Sequence, residues 1–337
     1  MIHPIWKDYY ADLGGDSSAQ YRIVCNDSVI YTGRAFKRPG HDAILVRIND
    51  ICADYLQNTL PELLDREFSE VALPVTFKVQ HFAGSVWRDV TEVRFVNDWS
   101  YDYAHDPETD GVAFPINGRV QSNQWVVWSG LDVDLVDAKI IFKDGSQSSV
   151  YIAVKLSDDF NEGINTDFSK SVRAAASGTA VFRPSEWGDL AGMRINGVDY
   201  EVIEGCNRYA LYYVNSYGGW DCLLVEGGSK EVDNIARKTR EVEYDNRNVQ
   251  NRGRVNYVTE VDKTITLHTS WMSDESAARM HNLLNSTDVY LCDILKDEMI
   301  PVILTNTTTE YKTYKGNGGK LVNYAIDVEF ANQRVRR

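Results

Sequence analysis

Asp106, Glu108 and Asp110 alternate before Gly111, the spacing of the first half of a calcium-binding loop. The second half does not follow. Asn117 stands where the closing bidentate acid is needed, and Pro107 and Pro115 do not suit flanking helices. A solvated acidic loop is the first reading, a weak calcium site the lesser one. Trp87, Trp99, Trp125 and Trp128 lie close in sequence and have the side chains that stack on sugars, although aromatics of β proteins more often pack inward. Glycoside hydrolysis needs two facing carboxylates, and 49 acidic residues supply too many pairs to single one out. Around Ser85 the text FAGSVW lacks the second glycine of a nucleophile elbow. The six histidines form neither HxH nor HExxH. Gly227-Gly228 and the run from Gly316 to Gly319 fit turns rather than phosphate or dinucleotide loops. No catalytic residue, resident metal or cofactor is expected, and the chain is not read as an enzyme.

Elements of β type must carry these residues. The chain has 337 residues, with 19 Tyr, 11 Phe and 8 Trp, enough length for two domains and a composition that favours strands. Its net charge of −14 is spread without a long acidic block, which argues against broad binding to nucleic acid or anionic membranes. The first residues lack a basic stretch followed by an apolar one, and no apolar run approaches the roughly 20 residues of a membrane span. Neither a signal peptide nor a membrane segment is expected. Five widely spaced cysteines, Cys25, Cys52, Cys206, Cys222 and Cys292, point to synthesis in a reducing compartment. Cys206 and Cys222 flank a hairpin, yet they read better as small apolar residues than as a disulfide.

Two antiparallel β-sandwich or barrel domains, each with one short α-helix, are predicted over 1–165 and 166–337. In the first, Asn26-Asp27 and Asp144-Gly145 mark hairpins, and a short helix near 50–60 is capped by Asn49 or Asp50. The polar text SDDFNEGINTDF from residue 157 marks the crossover. In the second, Asn196-Gly197 is a hairpin signal, and an aromatic hairpin from Asn207 to Gly228 breaks at Gly218-Gly219. Residues 229–263 follow with 8 Lys or Arg against 7 Asp or Glu, an arm or long hairpin exposed to solvent. A helix near 274–285 has Ser273 and Asp274 as caps and Ala277, Met280, Leu283 and Leu284 as its apolar stripe.

The texts YALYYVNSYGGWDCLLVEG, WMSDESAARMHNLLNSTDVYLCD and IPVILTNTTTEYKTYKGNGGKLVNYAIDVEFAN, with IWKDYYADLG, VIYTGRAFKRPG and INDICADYL earlier, cover most of the chain. Together they resemble structural tail proteins of tailed bacteriophages, notably those infecting gut Bacteroidales, and are similar in general plan to distal tail and baseplate-hub proteins. That resemblance implies a homomeric ring, commonly a hexamer, that joins the tail tube or neck to the adhesin or fibre apparatus. It implies other tail proteins as partners, location in the virion after synthesis in the host cytoplasm, and no catalysis. Arg237, Lys238, Arg240, Glu241, Glu243, Arg252 and Arg254 of the arm are the expected contacts, with the Arg334–Arg337 segment beside them. Other readings are a different connector or neck role, or a carbohydrate-binding β-sandwich that recognises the host through its Trp residues.

Overall fold

The computed structural model describes residues 2–56, 74–114, 116–130, 135–153, 173–174, 179–195, 197–243, 253–273, 275–305, 312–316, 319–331 and 334–336. The protein is mainly β and built from several antiparallel sheets. Backbone contacts divide it into two compact units, Met1–Glu204 with Tyr213–Cys222, and Gly205–Tyr212 with Leu223–Arg337.

In the first unit one sheet runs Ile2–Pro4, Val86–Val96, Val75–Ala83, Ser18–Cys25, Ser28–Phe36 in spatial order. Asn26 and Asp27 take φ of 47° and 59°, the left-handed pair that a two-residue hairpin turn requires and that Asn and Asp tolerate. Alternation along the central strands sends Tyr21, Ile23, Cys25, Phe77, Val79, Val93 and Phe95 to one buried face. Across that face pack Ala11 and Val46 of the paired strands Tyr10–Asp12 and Leu45–Arg47, with Ile48 and Cys52 at the helix Asn49–Ala53. Burying each large side chain of this set stabilises the fold by about 1.5–3 kcal/mol. Asn49 does not cap the helix. Its side chain accepts from Tyr9 N at 2.7 Å and donates to the carbonyls of Ile5 and Lys7 at 2.7 and 2.8 Å, so it ties down the N-terminal segment.

A second sheet of this unit runs Gln147–Ala153, Leu135–Phe142, Leu190–Ile195, Val198–Ile203, Gly118–Gln121, beside a smaller one of Arg173–Ala174, Thr179–Phe182 and Val126–Ser129. These pairings set the division. Residues 190–203 hydrogen-bond to strands 135–142 and 118–121, so they stay with the first unit and the chain passes to the second after Glu204, not near residue 165. The proposed crossover text falls outside the described residues.

The second unit is dominated by a sheet in the order Trp220–Val225, Tyr209–Val214, Val289–Asp293, Glu298–Leu304, Ala325–Phe330, Arg254–His268, Ser229–Glu241, with Arg334–Arg336 also along Arg254–His268. Helix Ala277–Asn285 buries Met280 and Leu283 completely, as its apolar stripe predicts. Its first turn differs from the sequence expectation. Ser276 occupies the cap position, and Ser273 reaches it from outside, its Oγ accepting from Ser276 N at 3.2 Å; Asp274 lies outside the described residues.

The aromatic hairpin Asn207–Gly228 is shared between the units. All six residues of Tyr209–Val214 are buried, so Tyr212 at 0% exposure and Trp220 at 3% are packing residues. Asn215 organises the turn: its Oδ1 accepts from Tyr217 N at 2.9 Å and Gly219 N at 3.1 Å, while its Nδ2 donates to Val112 O at 3.1 Å. Gly218 has a φ of 89°, and a Cβ on Gly219 would lie 2.4 Å from Val112 O, so both glycines are dictated by the backbone.

Candidate functional site

The charged segment after the aromatic hairpin forms a long β-hairpin. Strand Ser229–Glu241 pairs with Arg254–His268 through a continuous ladder, with one irregularity between Lys238 and Thr239. Thirteen residues of strand reach roughly 40 Å at ~3.3 Å per residue. The root of this hairpin is multi-stranded, because Thr264–His268 pairs with Ala325–Phe330 and Thr259–Val261 pairs with Arg334–Arg336. Beyond these contacts only the two hairpin strands pair with each other among the described residues, from Lys238 opposite Val258 to Glu241 opposite Arg254. Twelve of the thirteen residues of the outer strand are exposed, and Ile235, Val242 and Tyr257 show 49%, 39% and 50% of their surface. An isolated two-stranded ribbon is only marginally stable in water.

Polar bonds anchor the root. Gly227 N donates to His268 O at 2.9 Å and His268 N to Gly228 O at 3.0 Å; a Cβ on Gly227 would lie 2.2 Å from that carbonyl, so only glycine allows this approach. Glu231 is the hub. Its Oε1 accepts from Tyr209 OH at 2.6 Å and from Arg208 NH1 at 2.9 Å, while Lys263 Nζ stands 3.9 Å from Oε2. Arg208 Nε also donates to the buried Asp293 at 3.0 Å, and Lys296 Nζ lies 3.8 Å from the same carboxylate. The Tyr209 hydroxyl holds the Glu231 carboxyl below its ordinary range against desolvation, with Arg208 and Lys263 adding to the effect. Burial, then the neighbouring Glu231 carboxylate, push the Tyr209 phenol well up. These groups line a cleft of about 650 Å³ whose wall includes Ile265, Leu291 and Phe330. Nothing in the chain text singles out Arg208, Tyr209, Glu231 and Asp293, because they come from strands far apart in sequence.

Of the expected contact residues, Lys238 is bound to Glu260 of its own hairpin at 2.6 Å, and Arg254 to Glu241 at 3.2 Å. These exposed ion pairs cross between the two strands of the hairpin and add little to its stability. Arg237, Arg240 and Glu243 have exposed side chains with no ion pair among the described residues. Arg252 lies outside the described residues.

The acidic loop has a structural explanation. Asp106 caps the one-turn helix Pro107–Asp110 by accepting from Glu108 N at 3.0 Å, and Asp110 Oδ2 accepts from Asp106 N at 2.9 Å. Among the described residues no group of three or more acidic, His or Cys side chains is placed to hold a metal ion. Trp128 is buried, Trp87 lies beneath the Arg22 guanidinium at 4.5 Å, Trp125 lies beneath Arg183 at 4.0 Å, and Trp99 is half-buried with its N donating to Ser216 O at 2.8 Å. All five cysteines are free, Cys206 exposed and the rest buried. No helix among the described residues is long and apolar enough to cross a membrane.

The chain matches no protein-family model and no curated protein sequence.

Proposed function

We propose that this chain is a structural virion protein of a tailed bacteriophage, a subunit of a homomeric ring in the tail or baseplate. The ring, a hexamer, joins the tail tube or neck to the adhesin or fibre apparatus. The projecting hairpin is the observation that carries this reading. It extends past the sheet, exposes Val242 and Tyr257 toward its tip, and carries Arg237 and Arg240, which have no ion pair among the described residues. A neighbouring copy supplies the missing surface, and a contact between unlike surfaces of identical copies repeats until it closes. Charges along the arm set orientation and register more than affinity. The resemblance of most of the chain to tail proteins supplies the setting, with other tail proteins as neighbours and the host cytoplasm as the place of synthesis.

Native mass spectrometry and negative-stain electron microscopy test the proposal. A closed ring of identical subunits is expected from the full chain, and a shortened hairpin lacking residues 237–256 should give a folded monomer. A full-length protein that stays monomeric at high concentration would sink the reading.

A further inference from the structure

The loop from Asp98 to His105 displays aromatic side chains in a way that neither the fold nor the arm accounts for. Its even-numbered residues turn back on the chain. Asp98 Oδ1 accepts from Ser100 N at 2.8 Å, Ser100 Oγ from Asp102 N at 3.2 Å, and Asp102 Oδ1 from Ala104 N at 2.9 Å. Three successive side-chain turns of this kind restrain a loop without regular secondary structure. The intervening odd residues, Tyr101 and Tyr103, are pushed outward and are 69% and 82% exposed. Tyr101 has a φ of 56°, a left-handed conformation that is uncommon for an aromatic residue and costs on the order of 1 kcal/mol.

Both rings rest on Trp6. Its ring lies 5.7 Å from Tyr101 and 4.8 Å from Tyr103, the latter edge-to-face at 82°. Trp6 is itself tied to the loop by its backbone N, which donates to Asp98 O at 3.4 Å, and its Nε1 is buried, so the ring offers carbon rather than a donor outward. The result is three rings held in fixed relation, with two phenolic hydroxyls, on a loop that also carries the exposed Asp102. Tyr101 and Tyr103 are the large apolar residues exposed on this loop, which holds no Leu, Ile, Val or Met and has Ala104 as its one aliphatic residue.

We propose that Trp6, Tyr101 and Tyr103 form a binding site for an oligosaccharide. The rings stack on the C–H faces of pyranoses, and the Tyr hydroxyls and Asp102 hydrogen-bond to sugar hydroxyls. A loop that sets aromatic rings among polar residues, without a large aliphatic side chain of its own, favours a sugar, which is apolar on its faces and polar at its rim, over a protein surface, which needs a continuous apolar centre. Restraint of the loop reduces the ordering cost of binding, as rigid Tyr-rich paratopes do. The site lies within the first unit and is independent of the assembly reading.

The test uses the full-length protein on an array of bacterial and plant polysaccharides, followed by calorimetry with oligosaccharides cut from those that bind. Tyr103→Ala should weaken binding about tenfold and the Tyr101→Ala/Tyr103→Ala pair should abolish it, while Tyr103→Phe retains most of it. Thermal melting of the variants should match the parent, since both side chains are exposed. Capture of no polysaccharide, unchanged binding by the double variant, or tighter binding of a deca-proline peptide to the same rings would each overturn the proposal.

Discussion

Asp98 Oδ2 and His105 Nε2 face each other across 3.8 Å, both buried and neither with a hydrogen-bond partner among the described residues. The other imidazole nitrogen lies 3.6 Å from Asp110, and the His105 ring packs against Tyr217 at 4.2 Å. A buried carboxylate half-satisfied in this way is costly when ionised. Burial is the largest effect on Asp98 and raises its pKa, against the bonds from Ser100 and the attraction of His105, with Asp102 adding to the rise. The folded state therefore binds the Asp98 proton more tightly than the unfolded state. Its contribution to stability is complete below the ordinary carboxylate range and is lost as pH rises through the raised value. Asp98→Asn should stabilise the protein near neutral pH, and the gain should shrink as pH is lowered to about 4.5. Urea midpoints across that interval measure it, and a gain independent of pH would contradict this account.

Glu231 joins Arg208, Tyr209 and Lys263, so its loss takes the acceptor from the Tyr209 phenol and leaves the Arg208 guanidinium with Asp293. Glu231→Ala should cost about 1–2 kcal/mol, a figure kept low because the side chain is one-third exposed. Its depressed pKa places the contribution above the unfolded carboxylate value, to be lost as pH falls through the folded one. Chemical denaturation of the variant and the parent, at neutral and acid pH, should converge.

The turn around Asn215 should be the most sensitive point of the aromatic hairpin. Asn215→Ala removes three hydrogen bonds in a buried setting and should cost about 3 kcal/mol. Gly219→Ala should be worse, because the added methyl meets a backbone carbonyl that cannot step aside. Thermal melts rank the two variants, and a Gly219→Ala protein as stable as the parent would refute the turn geometry.

For the arm, Arg237→Glu with Arg240→Glu should leave thermal melting within about 0.5 kcal/mol of the parent, since neither side chain has an ion pair among the described residues. The same pair should reduce assembly by about tenfold or more in sedimentation velocity. Lys238→Glu should instead weaken the hairpin itself by up to about 1 kcal/mol, by replacing the ion pair with diagonal Glu260 by two like charges. Equal effects of the two changes on assembly and melting would remove the distinction between contact residues and those paired within the hairpin.

Local chemistry carried part of this structure. Asn26-Asp27, the alternation of apolar residues from Phe77 to Val79, the stripe Met280–Leu283 and the exposed charged hairpin after Gly228 all follow from neighbours a few positions apart. The division after Glu204 does not, because Leu190–Ile203 pairs with strands 48 to 82 residues away through ladder hydrogen bonds that any strand can make. Side-chain destinations were equally non-local. Asn49 has the type of a helix cap, yet its amide bonds to Tyr9, Ile5 and Lys7.

By itself the sequence determined a mainly β protein with its hairpin turns and an exposed charged arm, because these depend on backbone preference and the two-residue period of a strand. Tertiary structure alone decided which aromatics face outward, where Tyr101 and Tyr103 displace the four tryptophans. It also decided which charges meet, where Arg208, Glu231 and Asp293 converge at the root of the arm. Both outcomes depend on strand pairing and sheet curvature, and these bring together residues that the chain keeps apart.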